Sequence, residues 1–393
     1  MALNQVPKRI LPTIVFSQFA GTSLWFAGNA ILPAIQQSWD LRDNAVASIT
    51  SSVMLGFILG TFLFALFSIA DRFKPSRVFL TCAVLGALSN IAILVLPQSY
   101  FLLLLCRFLT GFCLAGIYPV GMKIASDWYA GNLGKALGYL VGALVLGTAF
   151  PHLLNYLGAG FSWSAVLIGT SSLAIIGGLL IVILVGEGPN RKVGGKFEPR
   201  KILDVFKIKQ FKYSAFGYFG HMWELYAFWA FTPFILTYYN NLTNNNLNVS
   251  LWSFLIIAIG AIGCIGGGFA SLKIGSGKVA FRYLLVSGIL CAISPFLGYL
   301  PPFIFLGFMI VWGIAVIGDS AQFSTLNAQN APAEFKGTAL TIVVSIGFLL
   351  TIPSIQLLGY LSTIMDTKWI LTFLFLGPLF GLIYTKKLLS LSH

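Results

Sequence analysis

The chain has 393 residues, 58% of them hydrophobic and only 9% charged, with a net charge of +13. A soluble domain carries about 25% charged residues, so the outside of a core this large would go uncoated by charge and lipid is the expected solvent. The basic residues fall in short gaps between apolar runs rather than on one polar face, which argues against a nucleic-acid partner and for a membrane protein read by its charged loops.

A spanning helix needs about 20 apolar residues. Twelve such segments follow one another at 11–35, 46–70, 78–97, 100–126, 135–158, 163–186, 213–239, 250–272, 280–299, 302–328, 336–361 and 369–388. Turn chemistry marks several gaps, as in Leu96-Pro97-Gln98-Ser99 and Leu300-Pro301-Pro302. The first apolar run is too long for a cleaved leader and reads as the first span. The five cysteines (Cys82, Cys106, Cys113, Cys264, Cys291) lie inside apolar segments without a paired spacing, so they read as small packing residues.

Charge fixes the expected orientation. Lys8 and Arg9 precede the first segment, Arg72, Lys74 and Arg77 follow the second, Lys273, Lys278 and Arg282 follow the eighth, and Lys386 and Lys387 end the last. The stretch 187–212 adds Arg191, Lys192, Lys196, Arg200, Lys201, Lys207, Lys209 and Lys212, while the alternate loops hold only Arg42 and Lys368. Both termini are therefore expected in the cytoplasm of a bacterial inner-membrane protein. The organisation that follows is an N-terminal bundle of six helices over 1–186, a basic cytoplasmic linker over 187–212 and a C-terminal bundle of six over 213–393.

The halves read as copies. Gly134-Lys135-Ala136-Leu137 recurs as Gly337-Thr338-Ala339-Leu340, Pro33 as Pro233, and Arg72 and Arg77 as Lys273 and Lys278, at a spacing of about 200 residues. Duplicated six-helix halves with a site between them are a transporter architecture.

Among the acidic residues, only Glu224 and Asp319 fall well inside predicted spans. A charge there costs about 3 kcal/mol on insertion scales and marks an ion or substrate path. His221 lies three residues before Glu224, one helix face shared, so an acid–imidazole proton path is expected from that spacing. Gln18, Trp25 and Asn29 form a stripe on the first segment, and Arg107 and Tyr118 a similar one on the fourth. Trp223, Tyr226 and Trp229 on the seventh segment, with Gln322 and Ser324 on the tenth, complete a polar and aromatic set suited to a small organic substrate. No phosphate-cradling loop is present, since Gly275-Ser276-Gly277-Lys278 has the wrong spacing, and the three histidines lack metal-site spacing. No enzyme, no metal and no bound cofactor are expected, and the proton gradient is the expected driving force.

The loop Ala70-Asp71-Arg72-Phe73-Lys74-Pro75-Ser76-Arg77 resembles the signature loop of the major facilitator superfamily, although Phe67 stands where glycine is usual. Its second-half copy keeps Gly268, Lys273 and Lys278 but has Leu272 in the acidic place. Arg107-Phe108-Leu109-Thr110-Gly111 is similar to the fourth-helix motif of the same family. The resemblance covers essentially the whole chain. It implies an all-α polytopic fold of two pseudo-symmetric bundles, a central path lined by the first, fourth, seventh and tenth helices, and a monomer. It also implies that Asp71, Arg72, Arg77, Lys273 and Lys278 act as a clasp steadying the outward-facing state.

Gly220-His221-Met222-Trp223-Glu224-Leu225-Tyr226 and Gly318-Asp319-Ser320-Ala321-Gln322-Phe323-Ser324 resemble an uptake-type branch near the nitrate and cyanate porters. The paired arginines of nitrate carriers, one in the second helix and one in the eighth, are missing. The Gly-Pro pair of drug–proton exporters is also missing from the fifth segment, which reads Gly138, Gly142, Gly147, Pro151, His152. Proton-coupled uptake of a small organic solute is the reading that results. An exporter, a facilitator or a non-transporting receptor on the same fold are the alternatives.

Overall fold

In an apolar solvent each backbone polar group must find its partner within the chain, which leaves helices as the economical way for a sequence this apolar to cross. The computed structural model describes residues 6–39, 41, 45–129, 133–158, 162–191, 205–332 and 336–391, and its regular structure is all helix, with no strand among them. Arg42, Lys192, Lys196, Arg200 and Lys201, and with them the middle of the expected linker, lie outside the described residues, as do the side chains of Lys135 and Thr338.

The spans are α1 (Ile10–Gln36), α2 (Ala45–Leu66), α3 (Pro75–Ala92), α4 (Tyr100–Trp128), α5 (Ala136–Leu157), α6 (Ser164–Val185), α7 (Lys209–Thr243), α8 (Val249–Ile274), α9 (Ser276–Tyr299), α10 (Pro302–Asn330), α11 (Ala339–Ile364) and α12 (Thr367–Ser390). Eleven of them are long and apolar enough to cross a membrane by composition alone. The other, α7, has length enough at 35 residues, but its His, Glu, Tyr and Trp side chains dilute the apolar signal. His221, Glu224, Tyr218, Tyr226, Trp229 and Tyr239 are buried within the protein, so lipid need not accept them.

Local chemistry sets the ends. The second predicted segment stops at Leu66, where Ser68 adopts a left-handed backbone (φ 51°) and the short turn Ile69–Arg72 begins. α3 starts at Pro75, whose missing N–H suits a first helical turn, and α10 starts at Pro302 for the same reason. Asp366 caps α12, where the backbone N–H of Lys368 holds its carboxyl below the usual carboxylate range.

Two bundles result. In the first, α2 packs on α4, α3 on α6, and α1 on α5 and α6; in the second, α8 packs on α10 and α7 on α11 and α12. The closest approach is between α2 and α4. A Cβ on Gly111 would stand 2.0 Å from Val53 O, and one on Gly56 1.9 Å from Phe108 O. The second half repeats the arrangement between α8 and α10, with Gly313 against Ile256 O and Gly263 against Ile314 O. This equivalence places the copies in space as well as in sequence.

The bundles meet through α2 against α11 and α5 against α8. The Gln356 amide donates to Ala47 O (3.3 Å) and Ser51 Oγ (2.9 Å), and Asn155 donates to Ser250 Oγ (2.9 Å). These contacts join the start of α2 to the end of α11 and the end of α5 to the start of α8. The opposite ends of α2 and α8, carrying Arg72 and Lys273, therefore lie together on the far side, as the duplicated topology requires. On that side a Cβ built on Gly138 or Gly268 would meet no neighbouring helix within 4 Å.

Gly111→Val is expected to cost about 3 kcal/mol or more by overpacking a backbone contact. Gly138→Ala should leave stability unchanged or slightly raised. Melting temperatures of the two purified variants, followed by light scattering, check both.

Candidate functional site

Three spans expected to line the path are interrupted at mid-membrane. α1 breaks at 23–26, α4 at 115–117 and α10 at Asp319, whereas α7 continues through Pro233. A break frees carbonyls that lipid cannot satisfy. In α1 the answer comes from α4: Arg107 Nη2 donates to Leu24 O (2.8 Å) and Trp25 O (2.6 Å), while Nη1 donates to Asn90 Oδ1 (2.9 Å) of α3. Asn90 in turn donates to Thr170 and Ser171 of α6. Arg107, expected to touch substrate, is instead a fully buried tie whose Nη donors are used by the first bundle.

The second bundle treats its charges similarly. Glu224 Oε1 accepts from Trp312 Nε1 (2.7 Å), Ser287 Oγ (2.5 Å) and Cys291 Sγ (3.2 Å), so its carboxylate points between α7, α9 and α10. His221 does not meet Glu224. Its Nδ1 stands 2.7 Å from Asp319 Oδ1 at the α10 break, and its Nε2 has no partner. The expected acid–imidazole pair exists, but with the other acid, because i and i+3 share a face broadly enough for two side chains to enter different clefts.

At the centre the bundles touch through rings. Trp25 of α1 lies nearly parallel to Tyr226 of α7 (centroids 5.6 Å, 29°) and to Phe348 of α11 (5.8 Å, 26°). Tyr118 meets Trp25 edge-on at 6.5 Å, Trp229 meets Tyr226 edge-on at 5.3 Å, and Phe57 packs on Phe348 at 4.5 Å. The buried indole nitrogens of Trp25 and Trp229, and both amide atoms of Gln18, lack hydrogen-bond partners.

Other expected residues lie apart. Trp223 turns to α12, where its indole donates to Phe373 O (3.3 Å) and its side chain packs against Gly377. Asn29 ties α1 to α2 through Thr50 Oγ1 (2.7 Å). Gln322 is buried towards Gly267 of α8, and Ser324 is exposed and bonded to its own helix at Ser320 O.

The clasp residues are likewise split. Asp71 pairs with Lys123 of α4 at 2.9 Å, within its own bundle. Arg72, Arg77, Lys273 and Lys278 are exposed and carry no ion pair among the described residues. A strap unforeseen in the sequence holds the same loop. Ser76 donates to Glu187, Glu187 pairs with Arg191 at 3.2 Å, and Arg191 donates to Asp71 O and Phe73 O.

Sequence reasoning also missed Trp312, Ser287 and Cys291 around Glu224, Asn90 beside Arg107, and Phe57 and Phe348 in the ring cluster. A lone polar residue amid an apolar run, as at Asn90, was the available signal.

The Major Facilitator Superfamily profile matches residues 14–354. The chain belongs to that superfamily. Solved members share its fold: a bacterial homolog of the human lysosomal transporter Spinster, inward-facing and unoccupied, superposes with a TM-score of 0.73 at 14% identity, covering 98% of each chain. The nucleoside transporter NupG, as a point mutant, gives a TM-score of 0.71 at 13% identity over 97% of this chain and 99% of its own. A Haemophilus influenzae protein provisionally named for metabolite transport is 29% identical over 134 residues, which is 33% of this chain and about a third of that relative (32%). This superfamily member is thus an integral membrane protein of transporter fold.

Arg107→Lys should lower the melting temperature markedly, because a single ammonium cannot serve Asn90 and two carbonyls at once. Each buried carbonyl left bare costs about 1–3 kcal/mol. Thermal unfolding of the purified variant checks this.

Proposed function

We infer that this protein is a secondary active transporter that takes up a small organic solute by alternating access, driven by protons. The observation that carries the reading is the His221–Asp319 contact at the break of α10, with Glu224 buried one helix turn away on α7. Two carboxylates and an imidazole held at mid-membrane have no place in a scaffold, since a buried charge is costly and an apolar pack would serve better. Exchanging a carboxylate's charge for a proton lets the second bundle move between two arrangements without carrying a bare charge. One elementary charge crossing 100 mV supplies about 2.3 kcal/mol, enough to concentrate a solute.

The central rings are the substrate contact, with Gln18, Trp25 and Tyr118 from one bundle and Tyr226 and Trp229 from the other. With the termini cytoplasmic, the closed end at Gln356 and Asn155 is the outer gate, and the open end faces inward. Asp71, Arg72, Arg77, Lys273 and Lys278 would close the inner end in the opposite state, which fits the exposure of the four basic residues here. The motifs around Glu224 and Asp319 support an uptake-type branch near the nitrate and cyanate porters, with an organic cargo. A bacterial inner membrane is the proposed location.

Solute-induced proton entry into pyranine-loaded proteoliposomes tests the coupling. Glu224→Gln and Asp319→Asn should each abolish pH-driven accumulation while leaving some counterflow. Normal accumulation by both variants would leave the carboxylates structural and favour a facilitator. A Ser51→Cys, Gln356→Cys pair, once cross-linked by an oxidant, should stop counterflow and recover it on reduction. Unchanged counterflow in the cross-linked state would remove the outer gate from the cycle.

A further inference from the structure

The charged side chains of the mid-membrane layer take their hydrogen-bond partners from their own bundles, with Arg107 Nε and His221 Nε2 left over. Arg107 is bound by two carbonyls and Asn90, Glu224 by three donors of its own bundle, and Asp319 by His221. None of these side chains joins the ring cluster between the bundles. A charged solute passing there would meet aromatic rings rather than a charged side chain at the depth where an unpaired ion is most costly.

The cluster offers something different. Trp25 faces Tyr226 and Phe348 at 29° and 26°, so one ring of the first bundle is laid nearly flat against two of the second. Aromatic faces separated by rocking of the bundles leave a slot with Trp25 on one side and the Tyr226–Phe348 pair, tilted 51° to each other, on the other. Indole N–H groups of Trp25 and Trp229, one from each bundle, are buried with nothing to accept from them. Gln18, two helical turns before Trp25, is fully buried with neither amide atom paired. Buried donors are seldom left bare. Two indoles in this state, one from each bundle and both against Tyr226, mark groups kept for a partner that supplies acceptors. An ammonium group has none to give, and a carboxylate would bring its charge among rings that carry none.

We propose that the substrate is an uncharged, flat ring compound bearing carbonyl-type acceptors, which inserts between Trp25 and the Tyr226–Phe348 pair and accepts from the indole N–H groups of Trp25 and Trp229. The assignment rests on the transporter reading for its biological sense but not for its measurement. Because each bundle contributes one donor, a bound ring touches both halves and is released only when they separate.

The test is thermal stabilisation of the detergent-purified protein by matched trios: uracil, orotate and 5-(aminomethyl)uracil; benzamide, benzoate and benzylamine; with glucose added as a non-planar neutral solute. The neutral member of at least one trio should stabilise the protein saturably, and its charged partners should not. For that compound Trp25→Phe and Trp229→Phe, which keep a ring and delete the N–H, should each weaken binding about tenfold, the value of one hydrogen bond. Stabilisation by the carboxylates or ammonium compounds at equal or lower concentration overturns the proposal. So does stabilisation by glucose alone, or by no member of the set, or unchanged affinity in both Trp→Phe variants. Counterflow of the stabilising compound in proteoliposomes separates the two readings. Binding without counterflow ends the transporter reading and leaves the ligand class standing, whereas uptake of an anion does the reverse.

Discussion

A charge or a free carbonyl at mid-membrane has no water to turn to, and most of the interior of this protein follows from that constraint. The break in α1 exposes Leu24 O and Trp25 O, and Arg107 of α4 supplies the donors. That bond pattern fixes α1, α3 and α4 as one unit, with Asn90 carrying the tie on to α6. Trp25 sits where it does because its own carbonyl is held from behind by the guanidinium. The ring that faces the other bundle is thereby anchored by the charge that does not.

The second bundle answers the same constraint with carboxylates. Glu224 gathers three donors from α9 and α10, and Asp319 gathers the imidazole of His221. Each bundle supplies the hydrogen-bond partners of its own buried charged groups, so the surface between the bundles can be built of aromatic rings. Such a surface is suited to repeated opening, since parting two ring faces breaks no ion pair. The polar contacts that do cross, from Gln356 and Asn155, are neutral hydrogen bonds, individually about 1 kcal/mol and easily exchanged for water.

Small residues set the other half of the design. Where α2 meets α4, and α8 meets α10, carbonyls stand within about 2.5 Å of where a glycine side chain would begin. Helices in lipid gain little from burying apolar surface, so close backbone packing takes over that role. These rigid pairs let each bundle move as a body while the loops around Asp71 and Glu187 strap its end.

What the sequence determined by itself was the fold: apolar run length fixed twelve spans, loop charge fixed which ends share a side, and the repeat near 200 residues fixed two alike halves. These are one-dimensional signals, each carried by consecutive residues against a solvent of known thickness. The residue types of the site were legible too, since Glu224, Asp319 and Arg107 stand out from apolar surroundings wherever they point. Their partners were decided only by the tertiary structure. His221 and Glu224 share a helix face, yet the imidazole goes to Asp319 of α10 and the carboxylate to Trp312, Ser287 and Cys291. Trp223 lies between two residues of the site and turns to α12. A helix face spans enough arc to meet two or three neighbours, and which neighbour a side chain reaches depends on how far the helices are rotated and where they break. Sequence spacing carries neither quantity.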